Sequence, residues 1–530
     1  MNKKGGWHRI LTSLVVLSAL SAKPIDARDI PRLLLCIQLD GAESGLLESY
    51  RPLFQKDGVE RLLSEGILYA NADYGFPITD SKSALATLVS GSYPRQHKLG
   101  WGTDYEALFR STAYRGVNTS KNFSPERLSY HTLGDVLEEV SSGRSEVYTL
   151  AAQAPTALTV SSLGASAAFW IDERNGMWAS SSYYTKIPKS FTEINRGDQS
   201  LCNSLVKQVW TPLRKVTSSP LKYYQPHGVQ ADFHYTFSAS STYQDYITSP
   251  LVDDEITRFA TALLRERAQA KNDAPIILNV TYSVAPSRGG IDYGPYSPES
   301  CDAYLRADHA IASLLRVAEQ VYGKEQCLVV LATIPQSYVS KAPQKRDVKT
   351  KVAPQGPIYS PAKATALVNL YLSAIYGKDN WVERITSDVV YLNRSLIERK
   401  SLPLDEIQFR TAAFMREMDG VADAFAPSEA LQSEESALRM WRAIPLSNRA
   451  DVLVRLSAAS WFSESNINNF TKSPMSVASQ PSWLLIARLG GEGQRVTRPI
   501  EMVSLIPTLA YILRIRPPTG AEGRPLEEWL

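Results

Sequence analysis

The sequence contains little cysteine and almost no net charge. Its 530 residues include only four cysteines, Cys36, Cys202, Cys301 and Cys327, and none has the spacing of a zinc site. Cys36 and Cys327 lie in apolar runs, where a free thiol behaves as a small hydrophobic residue, whereas Cys202 and Cys301 could pair in an oxidising compartment. A net charge of +3 gives no reason to expect binding to nucleic acid or to an anionic membrane surface.

Histidine and the common cofactor motifs are scarce as well. The chain has six histidines, and none follows His309. It contains no Walker A loop, dinucleotide fingerprint, Cys-x-x-Cys pair or catalytic-triad pattern. With 44% hydrophobic and 21% charged residues, the chain can still bury a substantial core without disulfides.

One short apolar run stands near the N-terminus. Lys3, Lys4 and Arg9 precede an apolar stretch over residues 10–22 that ends in small residues. This order is typical of a secretory signal peptide, and the run is too short for a membrane span. We therefore predict a signal peptide over residues 1–27, cleaved near Ala19, Ala22 or Ala27. The mature protein is expected in the periplasm or outside the cell, with no transmembrane segment.

Strand-like and helical patterns alternate along the chain. The apolar runs of strand length are residues 33–39, 147–151, 274–282, 326–333 and 483–487, with helical patterns over residues 256–268 and 303–318. This alternation predicts an α/β fold with a mainly parallel central sheet and helices on both of its faces.

The length of the chain also suggests an insertion. Residues 361–457 are predicted to form an inserted α+β cap, so that the core comprises residues 28–360 and 458–530.

Two polar positions follow apolar segments that should be buried. The first apolar run ends in Asp40, and a hydroxyl-rich turn further on leads into Ser81. A buried strand that delivers an Asp at its C-terminal end is how an open α/β sheet places a metal ligand or a catalytic acid in its crevice. The local alternatives are that Asp40 caps a turn and that Ser81 is a helix N-cap.

The residues after Ser81 resemble a known superfamily. The segment Ala84–His97 is similar to the helix and turn that follow the nucleophile in alkaline phosphatases. The likeness continues through residues 132–135, 168–173, 178–184, 294–297, 302–306, 391–394 and 507–530. The chain therefore resembles the alkaline phosphatase superfamily. Within it, the likeness is to the Bacteroidetes periplasmic alkaline phosphatases and the related type I phosphodiesterase/nucleotide pyrophosphatase branch, which implies their fold.

The resemblance also implies a chemistry that most of the aligned residues cannot perform. The family uses two zinc ions, held by Asp and His ligands, and a Thr or Ser nucleophile. Ser81 falls on the nucleophile position and Asp40 on the first metal ligand. The other ligand positions carry residues that are neither Asp nor His: Ser287, Ile291, Ile334, Pro335 and Lys472.

The phosphate-holding positions are changed too. Where the family has an Asn and a Lys-x-Arg pair, this chain aligns Gly102, Gln153 and Pro155. Those family residues supply charge-assisted hydrogen bonds to phosphate, which glycine, glutamine and proline do not. His97 falls on a turn position that is structural in the family.

Three functions remain open at this stage. The first is a pseudoenzyme, without a cofactor, that binds or assembles with an unknown protein or other component of the cell envelope. The second is a hydrolase of phosphomonoesters or phosphodiesters that keeps zinc in a rebuilt site and uses Ser81. The third is a lectin-like or phosphoanion-binding module in the old pocket. Asp308–His309 and Asp232–His234 are weaker candidates for a metal site.

Overall fold

The computed structural model describes most of the chain. It covers residues 30–530 except 79, 101–102, 162, 215–232, 238–242, 271, 290, 295–296, 336–355, 387, 431–434, 446–448, 458–459, 463–470 and 473–480. The predicted signal peptide, Gly102 and Asp232 lie outside the described residues, as do the side chains of Ile291 and Lys472.

The strands follow the apolar runs of the sequence. In chain order they are β1 (Leu33–Asp40), β2 (Gly66–Asp73), β3 (Gly116–Val117), β4 (Glu146–Leu150), β5 (Ala167–Ile171), β6 (Trp178–Ser181), β7 (Val209–Trp210), β8 (Tyr235–Thr236), β9 (Ile276–Ser283), β10 (Ser287–Arg288), β11 (Ile291–Asp292), β12 (Cys327–Ile334), β13 (Ile358–Tyr359), β14 (Val382–Ile385), β15 (Val389–Leu392), β16 (Val421–Phe425), β17 (Val452–Leu456), β18 (Trp461–Phe462), β19 (Thr471–Lys472), β20 (Ser482–Arg488), β21 (Gln494–Val496) and β22 (Ile500–Glu501).

The helices alternate with these strands. They are α1 (Ser44–Tyr50), α2 (Val59–Glu65), α3 (Ser81–Ser90), α4 (Pro94–His97), α5 (Tyr105–Phe109), α6 (Leu133–Val140), α7 (Ala154–Ser161), α8 (Lys189–Ile194), α9 (Leu201–Ser204), α10 (Gln244–Ile247), α11 (Leu251–Gln269), α12 (Pro298–Tyr322), α13 (Pro361–Tyr376), α14 (Arg394–Arg399), α15 (Leu404–Arg416), α16 (Pro427–Ala430), α17 (Glu435–Ala443) and α18 (Leu505–Leu513).

The central sheet has five parallel strands in its middle. Its order is β21-β2-β20-β12-β1-β9-β4-β5-β6-β3, with β22 beside β2, and the strands from β12 to β5 are parallel. Every residue of β12 is buried, as expected for a strand covered on both faces. Helices α11 and α12 pack together on the sheet, and α3, α6, α7 and α18 form a separate contacting group. The predicted α/β fold with a mainly parallel sheet is confirmed.

A smaller sheet lies within the predicted cap. Its order is β14-β15-β17-β16, all antiparallel, and α13, α14 and α15 share a hydrophobic cluster with it. This cluster is distinct from the main core and includes Val368, Trp381, Ile407 and Val454. The exact boundaries of cap and core, residues 361–457 against the remainder, stay a prediction.

Arginines join helix α17 to the central sheet region. The Arg439 guanidinium forms a bidentate ion pair with Asp73 at the end of β2, and Arg439 is almost fully buried. The Arg95 guanidinium lies 3.5 Å from the ring centroid of Trp441, which is stacking distance. Arg442 contacts Glu501 at 2.9 Å. Because a bidentate buried pair is geometrically specific, Arg439 fixes how α17 lies on the core.

The cysteines form no bridge. All four thiols are free, so the pairing of Cys202 with Cys301 that an oxidising compartment would permit does not occur. Burial raises the pKa of the Cys301 thiol to about 12, and a buried neutral thiol is a poor nucleophile.

Breaking the Arg439–Asp73 pair should destabilise the protein. In Arg439→Met the partly buried Asp73 carboxylate loses its cation, and we expect the free energy of unfolding to fall by about 3 kcal/mol. Arg410→Met is the matched control, because the Arg410–Glu406 pair is over 40% exposed on both sides and is therefore expected to contribute little to stability. Urea unfolding of the three proteins makes the comparison. Equal losses in both variants would mean that Arg439 does not anchor α17.

Candidate functional site

The site is built on the ends of three neighbouring parallel strands. In the ladders, Asp40 at the end of β1 is paired with Ile334 of β12 on one side and with Ser283 of β9 on the other. The Gly41 and Ala42 N–H groups both donate to the Ile334 carbonyl, at 2.9 and 3.0 Å. Gly41 has φ +81°, and a Cβ there would overlap Ala285. Glycine is therefore required for the turn that follows Asp40.

Helix α3 begins beside this strand end. Its N-cap is Asp80, whose carboxylate accepts from the Ser83 N–H at 2.8 Å and from the Tyr105 hydroxyl at 2.6 Å. Ser81 is the first residue of the helix. The local interpretation of Ser81 as an N-cap is therefore wrong, because Asp80 takes that role and leaves the Ser81 hydroxyl free to point elsewhere.

Ser81 and Asp40 are in contact. Burial raises the pKa of the Asp40 carboxyl, while the nearby Lys82 charge and a hydrogen bond from the Ser81 hydroxyl act against that rise. The neighbouring Asp80 raises the pKa of Asp40 further. Asp40 is thus a partly buried carboxylate that Ser81 and Lys82 stabilise, as a buried charge requires. The sequence analysis placed Asp40 and Ser81 at one site but missed Asp80 and Lys82. The positions of Asp80 and Lys82 on either side of Ser81 could have suggested them.

The other positions that the resemblance aligns with metal ligands carry no Asp or His side chain. Ile334 is fully buried at the end of β12, and the next residue, Pro335, is buried too. Ser287 lies in the β10–β11 hairpin, where its backbone N–H donates to the Thr248 carbonyl. The backbone of Ile291 is in the same hairpin, and that of Lys472 pairs with β18.

Two zinc ions do not fit this donor set. Zinc binds nitrogen, sulfur or carboxylate ligands, usually three or four for each ion. Among the described residues, no group of three or more His, Cys, Asp or Glu side chains is placed to hold a metal. Isoleucine and proline side chains have no lone pair to offer, so within the described part of the chain Asp40 lacks the partners that a zinc site needs.

Gln153 and Pro155, which the resemblance aligns with part of the family's phosphate-holding set (the phosphate clamp), line a polar cleft. Gln153 precedes α7, and Pro155 lies in its first turn. The cleft has a volume of about 240 Å³. Lys121 also lines it, with its ammonium 3.6 Å from a Glu106 carboxylate oxygen and 3.1 Å from one of Glu173. The only cation among the described lining residues is therefore already paired with two carboxylates.

His97 has the structural surroundings predicted for it. It is fully buried, its Nδ1 accepts from the Leu99 N–H at 3.1 Å, and its Nε2 lies 3.0 Å from the Thr87 hydroxyl. The proton therefore belongs on Nε2. Burial lowers the pKa of His97 to about 3, so the ring is neutral at physiological pH.

Of the two weaker metal candidates, Asp308–His309 does not form a site, and Asp232 of the other lies outside the described residues. The Asp308 carboxylate accepts from the backbone N–H groups of Gln55 and Val59, at 2.7 and 2.8 Å, and so caps the start of α2. Burial raises the pKa of Asp308 to about 6, in spite of those two hydrogen bonds. His309 is exposed on the same helix, and His234 is exposed as well. Asp308 is a structural residue, because both of its oxygens serve backbone donors.

One buried carboxylate was missed by sequence reasoning. Asp253 of α11 is fully buried, and one oxygen accepts weakly from the Ser283 N–H at 3.4 Å, at the end of β9. Its other oxygen has no partner among the described residues. Burial raises the pKa of Asp253 well above its usual range. An Asp inside an amphipathic helix gave no signal of this placement, because such residues usually face solvent.

Acid should destabilise the protein through His97. The pKa of His97 is about 3 when folded and about 6.5 in an unfolded chain. As the pH falls below about 6.5 the unfolded state takes up the proton first, so the free energy of unfolding should fall, by a few kcal/mol in total, until about pH 3. The free energy of unfolding of His97→Gln should vary less with pH in this window. His131→Gln, at an exposed histidine, is the control and should keep the wild-type slope. Parallel curves for all three proteins would exclude His97 as the cause.

Comparison with known proteins identifies the family of the chain. The sequence model of the type I phosphodiesterase / nucleotide pyrophosphatase family matches residues 34–468. The chain is 22% identical over 545 residues to alkaline phosphatase PafA of Elizabethkingia meningoseptica, covering 98% of each chain. It is 23% identical over 572 residues to a Myroides odoratus protein named calcium-transporting ATPase, again covering 98% of each.

A solved structure gives the same result for the fold. The crystal structure of wild-type PafA superimposes with a TM-score of 0.72 at 21% identity, covering 94% of this chain and 98% of PafA. The fold expected from the sequence resemblance is thereby confirmed. The chain belongs to the type I phosphodiesterase / nucleotide pyrophosphatase family, within the alkaline phosphatase superfamily.

Proposed function

We propose that this family member has lost the bimetal site and the phosphate clamp and acts as a non-catalytic binding or assembly protein of the cell envelope. The observation that carries the proposal is the pairing of Asp40 with Ile334 across the ladder. Parallel strands end at one edge of the sheet, so a second ligand on β12 would have to come from Ile334 or from the residue after it. Those two positions hold a buried isoleucine and a buried proline.

The metal-ligand positions and the phosphate-clamp positions both support the proposed loss of phosphoryl transfer. A two-metal centre lowers the barrier to phosphoryl transfer by activating the nucleophile and by holding the attacking and leaving oxygens. One carboxylate, Asp40, cannot replace it. At the clamp, Gln153 and Pro155 add no positive charge, and Lys121 is held by two carboxylates. Phosphate would therefore meet a cleft whose charges are negative or already paired.

The location of this role rests on the sequence. A predicted signal peptide over residues 1–27 supports export to the periplasm or beyond the cell. Within the described part of the chain, no helix has the length and apolar character needed to cross a membrane. We propose an envelope protein or other envelope component as partner, of a kind that remains to be identified.

A hydrolase with a rebuilt site is the second candidate. It is favoured by one observation: the Ser81 hydroxyl lies near enough to Asp40 to lower the pKa of that carboxyl, and a carboxylate beside a serine nucleophile could accept its proton. A polar neighbour is also what a partly buried carboxylate needs when it has lost its metal. The two candidates differ in their activity and in their response to zinc.

The protein should not hydrolyse phosphate esters. Without two-metal electrostatics or a clamp, we expect p-nitrophenyl phosphate and bis(p-nitrophenyl) phosphate to turn over at the background rate, with or without added zinc. Ser81→Ala should give the same result as the wild type. Release of p-nitrophenol at high enzyme concentration measures this. Turnover that disappears in Ser81→Ala and in the presence of a chelator would establish the hydrolase instead.

Zinc should not stabilise the protein. A metal that binds only the native state raises the melting temperature by linkage, so an enzyme with an intact site melts higher with zinc than with chelator. Here we expect the same melting temperature in both, measured by differential scanning calorimetry and accompanied by elemental analysis. Asp40→Asn serves as the control. A zinc-dependent rise of several degrees that Asp40→Asn removes would show a metal bound at the old site.

A further inference from the structure

The polar cleft beside the old site is formed by several separate elements. Its described lining comes from α5, the segment that follows β3, the C-terminal end of β5, the start of α7 and helix α10, with Gln153, Gln244, Glu106, Lys121 and Trp170 among its side chains. At about 240 Å³ it has room for roughly eight waters. It adjoins the crevice through α5, since Tyr105, next to Glu106, donates to Asp80.

Two amide side chains in this cleft have no hydrogen-bond partner among the described residues. Gln153 and Gln244 are partly buried, and among the described residues neither amide is hydrogen-bonded. Each amide offers two donors and an acceptor to a ligand. The partly buried amides are spread over two elements, α7 and α10, so they approach the cleft from different sides.

The charges of the cleft select against anions. Glu106 and Glu173 both lie beside Lys121, which leaves the described lining with more negative than positive charge. Asp172 also lines the cleft, but it accepts from the Thr119 hydroxyl and the Arg174 N–H. The remaining lone pairs of Glu106 and Glu173 can accept from hydroxyl groups. A ligand rich in hydroxyls and without formal charge suits this set.

The floor of the cleft is apolar and aromatic. Phe123, Trp170 and Ile171 are buried residues that line it, and Ile247 closes another side. The Lys121 ammonium lies 5.6 Å from the centroid of the Phe123 ring. These buried apolar groups close one side of the cleft, while the amides and carboxylates of its lining are left to bind the polar groups of a ligand.

We propose that this cleft binds a neutral carbohydrate, of the size of one sugar unit. The inference deepens the proposed binding function and rests on it, because it assigns the ligand class to the surface that the lost phosphate clamp leaves behind. Sugar hydroxyls both donate and accept, which matches the amide and carboxylate side chains of the cleft.

The test is a titration of the full-length mature protein with neutral methyl glycosides. Methyl glucoside, methyl galactoside and methyl N-acetylglucosaminide are added in turn and followed by ligand-observed NMR and calorimetry, with inorganic phosphate and glycine as charged probes. We expect saturable binding of at least one glycoside and none of phosphate. Gln153→Leu and Gln244→Leu should each weaken that binding by about tenfold, the cost of unpaired hydrogen bonds.

A control variant tests whether the loss of glycoside binding is specific to the glutamines of the cleft. Gln269→Leu, at an exposed glutamine at the end of α11, should bind the glycoside as the wild type does. Saturable binding of phosphate or glycine in place of the glycosides, or glycoside binding that all three variants retain, would overturn the assignment. The absence of binding by every glycoside tested would overturn it too. None of these outcomes alters zinc content or phosphate-ester turnover, so failure here is distinct from failure of the proposed function.

Discussion

The parallel ladder β12–β1–β9 is the constraint on which the rest of the structure depends. Its strands are buried, and their register brings Ile334, Asp40 and Ser283 to one level at the edge of the sheet. Hydrogen bonds from Gly41 and Ala42 to the Ile334 carbonyl continue the ladder into the turn. These contacts involve the backbone, so the identity of the side chain at each strand end can change while the fold stays the same.

That independence explains how a metal site can disappear from an intact fold. Buried charged groups cost desolvation free energy, and replacing a cluster of them with apolar residues is often neutral or stabilising. Under the proposed loss of the metal site, Ile334 and Pro335 are such replacements, and both are buried. The residue that remains, Asp40, then needs other partners, and Ser81 and Lys82 provide them. The surviving site residues thus have a structural reason to persist that requires no catalysis.

Sequence reasoning found the strands and missed the contacts between distant segments. The apolar run of β12 was recognisable because a strand buried on both faces is continuously hydrophobic. The sequence did not identify Asp80 as the N-cap of α3, because Asp80 and Ser81 are both good capping residues. The contact that favours Asp80 is a tertiary one, the hydrogen bond from the Tyr105 hydroxyl. The pairing of Arg439 with Asp73 joins residues 366 positions apart, and no local pattern reports such a separation.

The cleft illustrates what a change of charge does to an inherited surface. A lysine or arginine at the position of Gln153 would make the cleft a site for anions, and glutamine makes it a site for groups that share hydrogen bonds. Lys121 does not supply unpaired positive charge to the cleft, since Glu106 and Glu173 both pair with it. The shape of the crevice depends on the sheet and helices, which the chain has kept, whereas the preferred ligand depends on a few side chains at its edge. Under the proposed function, this surface could therefore bind a different ligand from that of other family members without any change in the fold.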